Sequence, residues 1–231
     1  MLHQRKIFRP CDHEGPCEAA QCSCYKEGVQ CEKTCACSAR CRRRYRGCKC
    51  AQKGKPCSTK TKCPCKELNR ECDPDLCSTC GAIDVLDPVN RYDDDVVNGR
   101  CHNVFVQRNR PKHTKIGISQ ISGCGLYACE DIKTGEYISE YKGEICSHGE
   151  AERRGVLYSY RTNNYLFTVN PDVFDIDSMR YGNKTRFINN SEIDANINVY
   201  AQLLFCNTVV RIGMFAKKDI KAGDELFFNY G

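Results

Sequence analysis

Cysteine is distributed very unevenly along this chain of 231 residues. Seventeen of the 21 cysteines lie between Cys11 and Cys101, and many of them form pairs separated by a single residue. Two cysteines that close chelate one metal ion easily but bridge to each other badly. The same region has too few large apolar residues for an ordinary core, so we expect its folding to depend on bound metal. A disulfide framework is the alternative that this spacing disfavours.

The region offers two arrays of nine potential soft ligands, counting one histidine. The first array contains Cys11, His13, Cys17, Cys22, Cys24, Cys31, Cys35, Cys37 and Cys41. The second contains Cys48, Cys50, Cys57, Cys63, Cys65, Cys72, Cys77, Cys80 and, beyond a linker, Cys101. Three tetrahedral zinc ions have twelve coordination positions, which nine ligands fill when three sulfurs bridge. We therefore expect six zinc ions in two three-zinc clusters, with a structural role because no position stays open.

The first 80 residues are basic, with 17 Lys and Arg against 9 Asp and Glu, whereas the rest of the chain is slightly acidic. The basic side chains are densest at Arg40, Arg42, Arg43, Arg44, Arg46 and Lys49. This basic patch suits the phosphate backbone of DNA. The alternatives are a solvated surface and partial screening of the anionic metal clusters.

Targeting signals and membrane spans are missing from the sequence pattern. No apolar run approaches the roughly 20 residues that a membrane-spanning helix needs. The first nine residues contain no apolar signal core. We therefore expect an intracellular chain without a membrane partner, in a reducing compartment where thiols bind metal.

The sequence pattern changes at Val104, where short apolar runs separated by turns begin. We expect residues 1–103 to form the metal-binding domain, with a linker over 81–103, and residues 104–231 to form a mainly β domain. Ser147 and Glu150 fit a capping box at the start of a helix over 148–155. The predicted strands are 104–107, 116–121, 125–128, 136–141, 165–169, 173–176, 198–206, 209–216 and 225–228.

One segment of the β domain is repeated. Residues 125–136 and 213–224 both read as a strand, then Asp-Ile-Lys-x-Gly, then an acidic residue that opens the next strand. Gly135 and Gly223 fit turn positions that need a positive φ. The pattern predicts that one strand–turn–strand unit is used twice within a single compact fold.

Four motifs in the β domain occur in a characteristic order. They are Gly123-Cys-Gly-Leu-Tyr127, Glu140-Tyr-Lys-Gly-Glu144, Arg186-Phe-Ile-Asn-Asn-Ser191 and Glu225-Leu-Phe-Phe-Asn-Tyr230. Together they resemble the SET domain of protein lysine methyltransferases. The doubled cysteine array with Glu71-Cys-Asp-Pro-Asp-Leu-Cys77 is similar to the CXC domain of the enhancer-of-zeste family. This resemblance implies a mainly β SET fold, with short curved sheets and a knot-like C-terminal core, preceded by an irregular zinc-cluster CXC domain.

The resemblance also implies a cofactor, S-adenosylmethionine, and residues that bind it. The cofactor residues carried over are Gly123, Cys124, Gly125, Asn189 and Asn190. The aromatic channel for the substrate lysine would have Tyr141, Phe167 and Tyr230 as walls, although Phe167 is equally well explained by core packing. Tyr230 would orient the amine, and Tyr141 would limit how many methyl groups fit.

The function implied is methyl transfer to histone H3, at lysine 27, in transcriptional repression in the nucleus. The implied partners are the histone H3 tail and nucleosome, DNA at the basic patch, and other subunits of Polycomb repressive complex 2. Two alternatives are a DNA- or nucleosome-binding CXC module with an inactive SET fold, and a methyltransferase for another lysine.

Several positions depart from the family pattern. Asn190 replaces a histidine, Cys124 a tryptophan and Asn229 an aspartate. The family continues into a post-SET tail where this chain ends at Gly231, so we expect a fragment. These changes bear on cofactor affinity more than on the fold.

Overall fold

The computed structural model describes residues 8–18, 20–50, 57, 62–160, 164–170 and 174–230. The chain divides into two compact units. The cysteine-rich unit comprises the described residues up to Val104 together with Phe205–Val210. The β unit comprises Phe105–Leu204 and the described residues from Arg211 onward. The chain therefore enters the cysteine-rich unit twice, the second time at the end of a β hairpin.

In the part of the cysteine-rich unit that the structure describes, the helices are all short. Helix α1 spans Ser23–Lys26 and helix α2 spans Pro64–Glu67. Each is a single turn that follows one cysteine and contains another, so a Cys-x-Cys pair lies at the start of each helix. An isolated helix of this length is unstable in water. We therefore expect the thiols, together with the metal ions they are predicted to bind, to hold these turns in place.

The predicted linker is folded against the second array of thiols. It contains helix α3 at Ala82–Leu86, a 3₁₀ turn at Pro88–Asn90 and helix α4 at Asp94–Val97. The Asp93 side chain caps α4 by accepting hydrogen bonds from the backbone N–H groups of Asp95 and Val96. Ala82, Val85 and Val97 are buried with the cysteines of the second array.

The β unit opens with helix α5 at Phe105–Arg108, and its described residues continue with eight strands. Three small antiparallel sheets have the orders β1–β2, β3–β8–β7 and β4–β6–β5. The strands are β1 (Thr114–Ile118), β2 (Cys124–Ala128), β3 (Tyr137–Tyr141), β4 (Glu144–Cys146), β5 (Leu166–Asn170), β6 (Phe174–Asp177), β7 (Val199–Cys206) and β8 (Val209–Ala216). Short strands in small sheets confirm the predicted mainly β class. Within the described ranges, no helix is long and apolar enough to cross a membrane.

The one long helix, α6, spans His148–Ser159. Ser147 caps it as predicted, because its hydroxyl accepts from the Glu150 backbone N–H at 3.3 Å. The Glu150 carboxylate, however, accepts from the guanidinium groups of Arg153 and Arg154 instead of closing the capping box. These two guanidinium groups lower the pKa of Glu150 to about 2.

Two predicted strands are absent as named strands among the described residues, and one short strand was missed. The run 104–107 is not a strand but the start of α5. A short apolar run fits a buried helix and a buried strand equally well, so periodicity cannot separate them. The segment 225–228 is extended but makes only isolated bridges, at Glu225 and Phe227. Strand β4 was not predicted, because three residues are too few to show alternation.

The two copies of the repeated segment contact each other reciprocally. Ile132 and Ile220 form an antiparallel bridge, and both side chains are buried. Lys221 donates to the Asp131 carboxylate at 2.8 Å, and Lys133 donates to Asp219 at 3.0 Å. The repeat therefore joins residues almost 90 positions apart, and we call this arrangement the reciprocal clasp.

Candidate functional site

The thiols of the first array are spaced as ligands of shared metal ions. The Cys11 Sγ lies 4.0 Å from both Cys17 Sγ and Cys31 Sγ, and Cys24 Sγ lies 3.6 Å from Cys35 Sγ. Sulfurs about 2.3 Å from one tetrahedral zinc ion are about 3.8 Å apart. A disulfide would bring two sulfurs to about 2.05 Å, and none joins any two of the 21 cysteines.

His13 lies where the first array needs its ninth ligand. Its Nε2 is 3.6 Å from Cys17 Sγ, and it belongs to a four-residue group with Cys11, Cys17 and Cys22. Its Nδ1 lies 2.9 Å from the Glu14 carbonyl oxygen. A histidine that binds metal through one nitrogen commonly donates from the other to such an oxygen, which fixes the ring.

The second array is equally compact. Cys48 Sγ lies 3.5 Å from Cys57 Sγ and 3.9 Å from Cys72 Sγ. Hydrogen bonds among these thiols shift their pKa values in both directions: that of Cys77 is lowered, chiefly by Cys48, and that of Cys48 is raised, chiefly by Cys57. Cys101 is fully buried with the same thiols, so the linker brings it to the second array.

The basic patch is divided between internal contacts and solvent. Arg44 donates to the carbonyl of Cys35 at 3.0 Å and lies 3.3 Å from Cys37 Sγ. Arg43 donates to the Val29 carbonyl. Arg46 donates more weakly to the Cys41 carbonyl, at 3.4 Å. The exposed side chains of Arg40, Arg42 and Lys49 are the better placed to meet an external phosphate.

In the β unit, the two glycines of the Gly-Cys-Gly motif serve different purposes. Gly123 has φ +49 and open space around it, so glycine is needed there for the backbone conformation. Gly125 has an ordinary φ, but a Cβ there would lie 2.1 Å from Oε1 of Glu225. The second glycine therefore makes room for a carboxylate of this chain, which the sequence motif alone did not reveal.

Asn189 lies directly against this turn. Its side-chain Nδ2 donates to the carbonyl oxygens of Ser122 and Cys124, at 3.1 and 3.2 Å, and to Glu225 Oε1 at 3.3 Å. All three neighbours are acceptors, so the amide must present its NH₂ group to them. The side-chain oxygen Oδ1 then points away from the turn as an acceptor. The structure thus brings the predicted cofactor residues at 123–125 and 189 together.

Asn190, which stands where the family has histidine, contacts the C-terminal motif. Its Oδ1 accepts from the Tyr230 backbone N–H at 3.2 Å. The Tyr230 hydroxyl donates to the Ile188 carbonyl oxygen at 2.8 Å, which fixes the ring from its other end. Both ends of Tyr230 are therefore held by the segment 188–190.

Four aromatic rings form a continuous row that ends at Tyr230. Centroid distances are 5.1 Å for Tyr141–Phe167, 6.0 Å for Phe167–Phe228 and 4.7 Å for Phe228–Tyr230. The row borders a cavity of about 150 Å³ whose wall also includes Tyr165, Arg186 and Ile188. All three predicted channel residues therefore meet at one cavity. Phe228 was not predicted, although its position two residues before Tyr230 in an extended segment places both on one face.

Tyr141 is a neutral phenol with a fixed orientation. Its hydroxyl donates to the Tyr165 carbonyl oxygen at 2.8 Å. Burial raises the pKa of Tyr141 to about 12. Tyr141 therefore shapes the cavity as a bulky polar wall and does not act as a base near neutral pH.

Comparisons with known proteins agree with these observations. The SET-domain family model matches residues 123–231, and the CXC-domain model matches residues 47–82. Histone-lysine N-methyltransferase EZH2 of Chaetomium thermophilum is 42% identical over 98% of the chain. Histone-lysine N-methyltransferase CLF of Arabidopsis thaliana is 37% identical over 96% of it. The chain spans 16% and 24% of the lengths of these two relatives.

Solved structures show the same fold. The Chaetomium thermophilum Polycomb repressive complex 2, in an autoinhibited conformation bound to S-adenosylmethionine, contains a chain that matches with TM-score 0.88 and 42% identity. The match covers 98% of this chain and 29% of that one. A second structure of the complex, with H3K27me3 and H3K27M, also matches with TM-score 0.88. The matches confirm both the fold class and the predicted resemblance, and the chain belongs to the enhancer-of-zeste family, in which a CXC domain precedes a SET domain.

Proposed function

We propose that this chain carries the catalytic domain of a histone-lysine N-methyltransferase that uses S-adenosylmethionine and modifies histone H3 at lysine 27. The observation that carries the proposal is the aromatic row. It ends at Tyr230, which segment 188–190 fixes at both ends, and the neighbouring Asn189 lies on the 123–125 turn. Relatives of this chain are named histone-lysine N-methyltransferases, and the structure of a matching complex was solved with H3K27me3 and H3K27M.

The aromatic row would select and align the substrate amine. Ring faces attract alkylammonium groups, so Tyr141, Phe167 and Phe228 suit the end of a lysine side chain. A buried apolar channel also disfavours the charged form of an amine and so favours the neutral nucleophile. Alignment of the reacting atoms can account for a large part of the rate enhancement. Tyr230, fixed through its hydroxyl and its backbone N–H, would set that alignment.

The residues of the turn fit the proposed cofactor. Gly123 leaves open space beside the backbone, and Asn189 turns Oδ1 away from the turn as an acceptor. An oxygen acceptor suits an ammonium group, which has donors only. When bound, S-adenosylmethionine supplies an electrophilic methyl group on a sulfonium. Gly123, Cys124, Gly125, Asn189 and Asn190 would hold it beside Tyr230.

The metal proposal for the cysteine-rich unit can be made specific. Overlapping four-residue groups place Cys11, His13, Cys17 and Cys22 around one position, and Cys17, Cys31, Cys37 and Cys41 around a second. Cys24 and Cys35, 3.6 Å apart, each share a group with Cys11 and Cys31, which completes a third. Cys11, Cys17 and Cys31 would then each bridge two ions. This arrangement fills the twelve positions of three zinc ions with nine ligands, and an equivalent second cluster gives six.

The proposed partners follow from the substrate. A protein that modifies histone H3 acts on nucleosomes in the nucleus, where the exposed Arg40, Arg42 and Lys49 could contact DNA phosphates. The matched solved structures are Polycomb repressive complexes, so other subunits of such a complex are expected partners.

The test is methyl transfer to nucleosomes by the full-length protein assembled with its partner subunits. We expect Tyr230→Phe to reduce transfer by about 10²-fold, since loss of alignment at the reacting centre has effects of that size. Tyr181→Phe is the matched control, because that ring is 71% exposed. Unchanged transfer by Tyr230→Phe would refute the assigned role. A wild-type complex that binds DNA but transfers no methyl group would favour the inactive, DNA-binding alternative.

A further inference from the structure

We propose that Glu225 is a positioning residue that holds the 123–125 turn and Asn189 in the orientation needed to recognise the ammonium group of the cofactor. This inference rests on the proposed function, because it concerns the same site. The Glu225 carboxylate is shared by three separate segments of the β unit. Tyr127 donates its hydroxyl to Oε2 at 3.0 Å, Asn189 donates Nδ2 to Oε1 at 3.3 Å, and Gly125 leaves the space that the carboxylate fills.

The backbone around Glu225 holds this carboxylate in place. Glu225 forms an antiparallel bridge with Tyr127, and the Leu226 N–H donates to the Leu126 carbonyl at 2.8 Å. The Glu225 carbonyl accepts from Asn198 Nδ2 at 2.8 Å. These contacts fix the backbone from which the side chain extends, and the carboxylate itself is held by its hydrogen bonds from Tyr127 and Asn189.

Gly125 and Glu225 are sterically matched. A Cβ at position 125 would lie 2.1 Å from Oε1 and 2.7 Å from Cδ of Glu225, and 3.2 Å from the Ser119 Cβ. Contacts below 3.0 Å force one partner to move. Any side chain at 125 would therefore displace the carboxylate from Asn189 and Tyr127. The requirement for glycine at position 125 therefore comes from the Glu225 carboxylate.

The consequence for binding is the orientation of one amide. A carboxylate has acceptors only, so Glu225 can face only the NH₂ end of the Asn189 amide. This fixes Oδ1 as the end that faces away from the turn. The Ser122 and Cys124 carbonyl oxygens favour the same orientation, and Glu225 adds the only charged acceptor among these three contacts. A glutamine at 225 removes that charge and can turn its own NH₂ group toward the NH₂ of Asn189, which weakens the hold on the amide.

The experiment compares two ligands in calorimetric titrations of the zinc-loaded chain. S-adenosylhomocysteine has the amino-acid tail with its ammonium group, whereas 5′-methylthioadenosine keeps the nucleoside and sulfur but lacks the whole tail, ammonium and carboxylate alike. We expect Glu225→Gln to weaken S-adenosylhomocysteine binding about tenfold, the size expected for one hydrogen bond to a charged group. Binding of 5′-methylthioadenosine should change less than twofold. Glu152→Gln, at a 70% exposed carboxylate, is the control and should bind both ligands like the wild type.

Each other outcome has a definite meaning. Equal weakening of both ligands by Glu225→Gln would show a general structural role and overturn the inference. Wild-type affinity for both ligands in Glu225→Gln would also overturn it and leave the proposed function intact. Failure of the wild-type chain to bind S-adenosylhomocysteine would instead contradict the proposed cofactor site.

A second measurement does not depend on ligand binding. Gly125→Ala should lower the melting temperature of the β unit, because the new methyl group meets the carboxylate. In a Glu225→Ser background the same substitution should lower the melting temperature less, because the carboxylate that the methyl group meets is gone. Equal decreases in melting temperature in the two backgrounds would show that Gly125 and Glu225 are not coupled.

Discussion

The two units of this chain bury different kinds of side chain. Among the described residues, the cores of the cysteine-rich unit consist mainly of thiols, with a few partners such as Val85 and Val97. The β unit buries large aliphatic side chains, among them Leu126, Ile138 and Met214. Burial of apolar area stabilises the second kind of core directly. We expect the first kind to be stable only when metal ions bind the thiolates, so the two units should respond differently to the same perturbation.

Ion pairs also serve the two units differently. In the cysteine-rich unit, Arg70 is 2% exposed and makes two parallel hydrogen bonds, at 2.7 and 2.8 Å, to the buried carboxylate of Glu32. The guanidinium also lies 3.6 Å from the centre of the Tyr45 ring. Glu32 follows a first-array cysteine, and Tyr45 contacts Cys65 of the second. This buried pair therefore connects the two arrays, whereas the ion pairs of the reciprocal clasp are exposed.

Metal removal should separate the two units most strongly. Structural zinc contributes roughly 10–16 kcal/mol in small zinc domains. Incubation with a strong chelator should therefore unfold the cysteine-rich unit and leave the β unit folded. Limited proteolysis followed by mass spectrometry would show cleavage within residues 8–104 and protection over 114–160 and 174–204. Equal protection of both regions after complete metal loss would contradict metal-dependent folding.

Breaking the buried pair should have the next largest effect. Arg70→Gln leaves the Glu32 carboxylate buried without its charge partner, which typically costs roughly 3–5 kcal/mol. The free energy of unfolding of the zinc-loaded cysteine-rich unit, from denaturant titration, should fall by that amount. Arg42→Gln, at an exposed position of the basic patch, is the matched control with an expected change below about 0.5 kcal/mol. Equal losses in the two variants would contradict the role given to Arg70.

A substitution at Tyr141 in the aromatic row should alter the ratio of methylated products without affecting the metal clusters. Tyr141→Asn removes a buried ring beside Phe167 and enlarges the cavity, so we expect a shift toward the trimethylated product. Mass spectrometry of the modified histone peptide would measure the ratio of the three products. Zinc content should stay that of the wild type. An unchanged product ratio would show that Tyr141 does not limit the space for methyl groups.

The smallest effect is expected at the reciprocal clasp. The Thr134 backbone N–H and the Lys133 ammonium lower the pKa of Asp219 to about 2, from an ordinary value of 3.8. A depressed pKa means that the contact stabilises the folded chain above pH 3.8 and that this contribution is lost as the pH falls toward 2. The protection factor of the Thr134 amide, which compares its exchange rate with the intrinsic rate at the same pH, should therefore fall over that interval and already be lower at pH 6 in Asp219→Asn. Glu192→Gln, at an exposed carboxylate, should leave it unchanged.

Local patterns predicted much of the fold. Predicted strands at 198–206 and 209–216 match β7 (Val199–Cys206) and β8 (Val209–Ala216), because long runs of apolar and β-branched residues constrain strand position well. The Ser147 cap is found as well, since capping depends on a few neighbouring residues. The strand predicted at 104–107 is wrong because three consecutive apolar residues do not define a period.

The site was predicted less completely, for a physical reason. Tyr141, Phe167 and Tyr230 were identified by motif resemblance, and the structure brings them to one cavity. Glu225 and Phe228 were missed as site residues, although both lie within a recognised motif. Their roles depend on Gly125, Asn189 and the ring of Phe167, which are far away in sequence. Tertiary contacts of this kind leave no local periodicity to detect.

We expect metal binding to belong to the cysteine-rich unit and cofactor binding to the β unit. Native mass spectrometry of the chain with S-adenosylhomocysteine measures both in one sample. We predict a wild-type species with six zinc ions and one S-adenosylhomocysteine, and an Asn189→Ala species with six zinc ions and no S-adenosylhomocysteine. Retention of the ligand by Asn189→Ala, or a change in its zinc count, would contradict this division of roles.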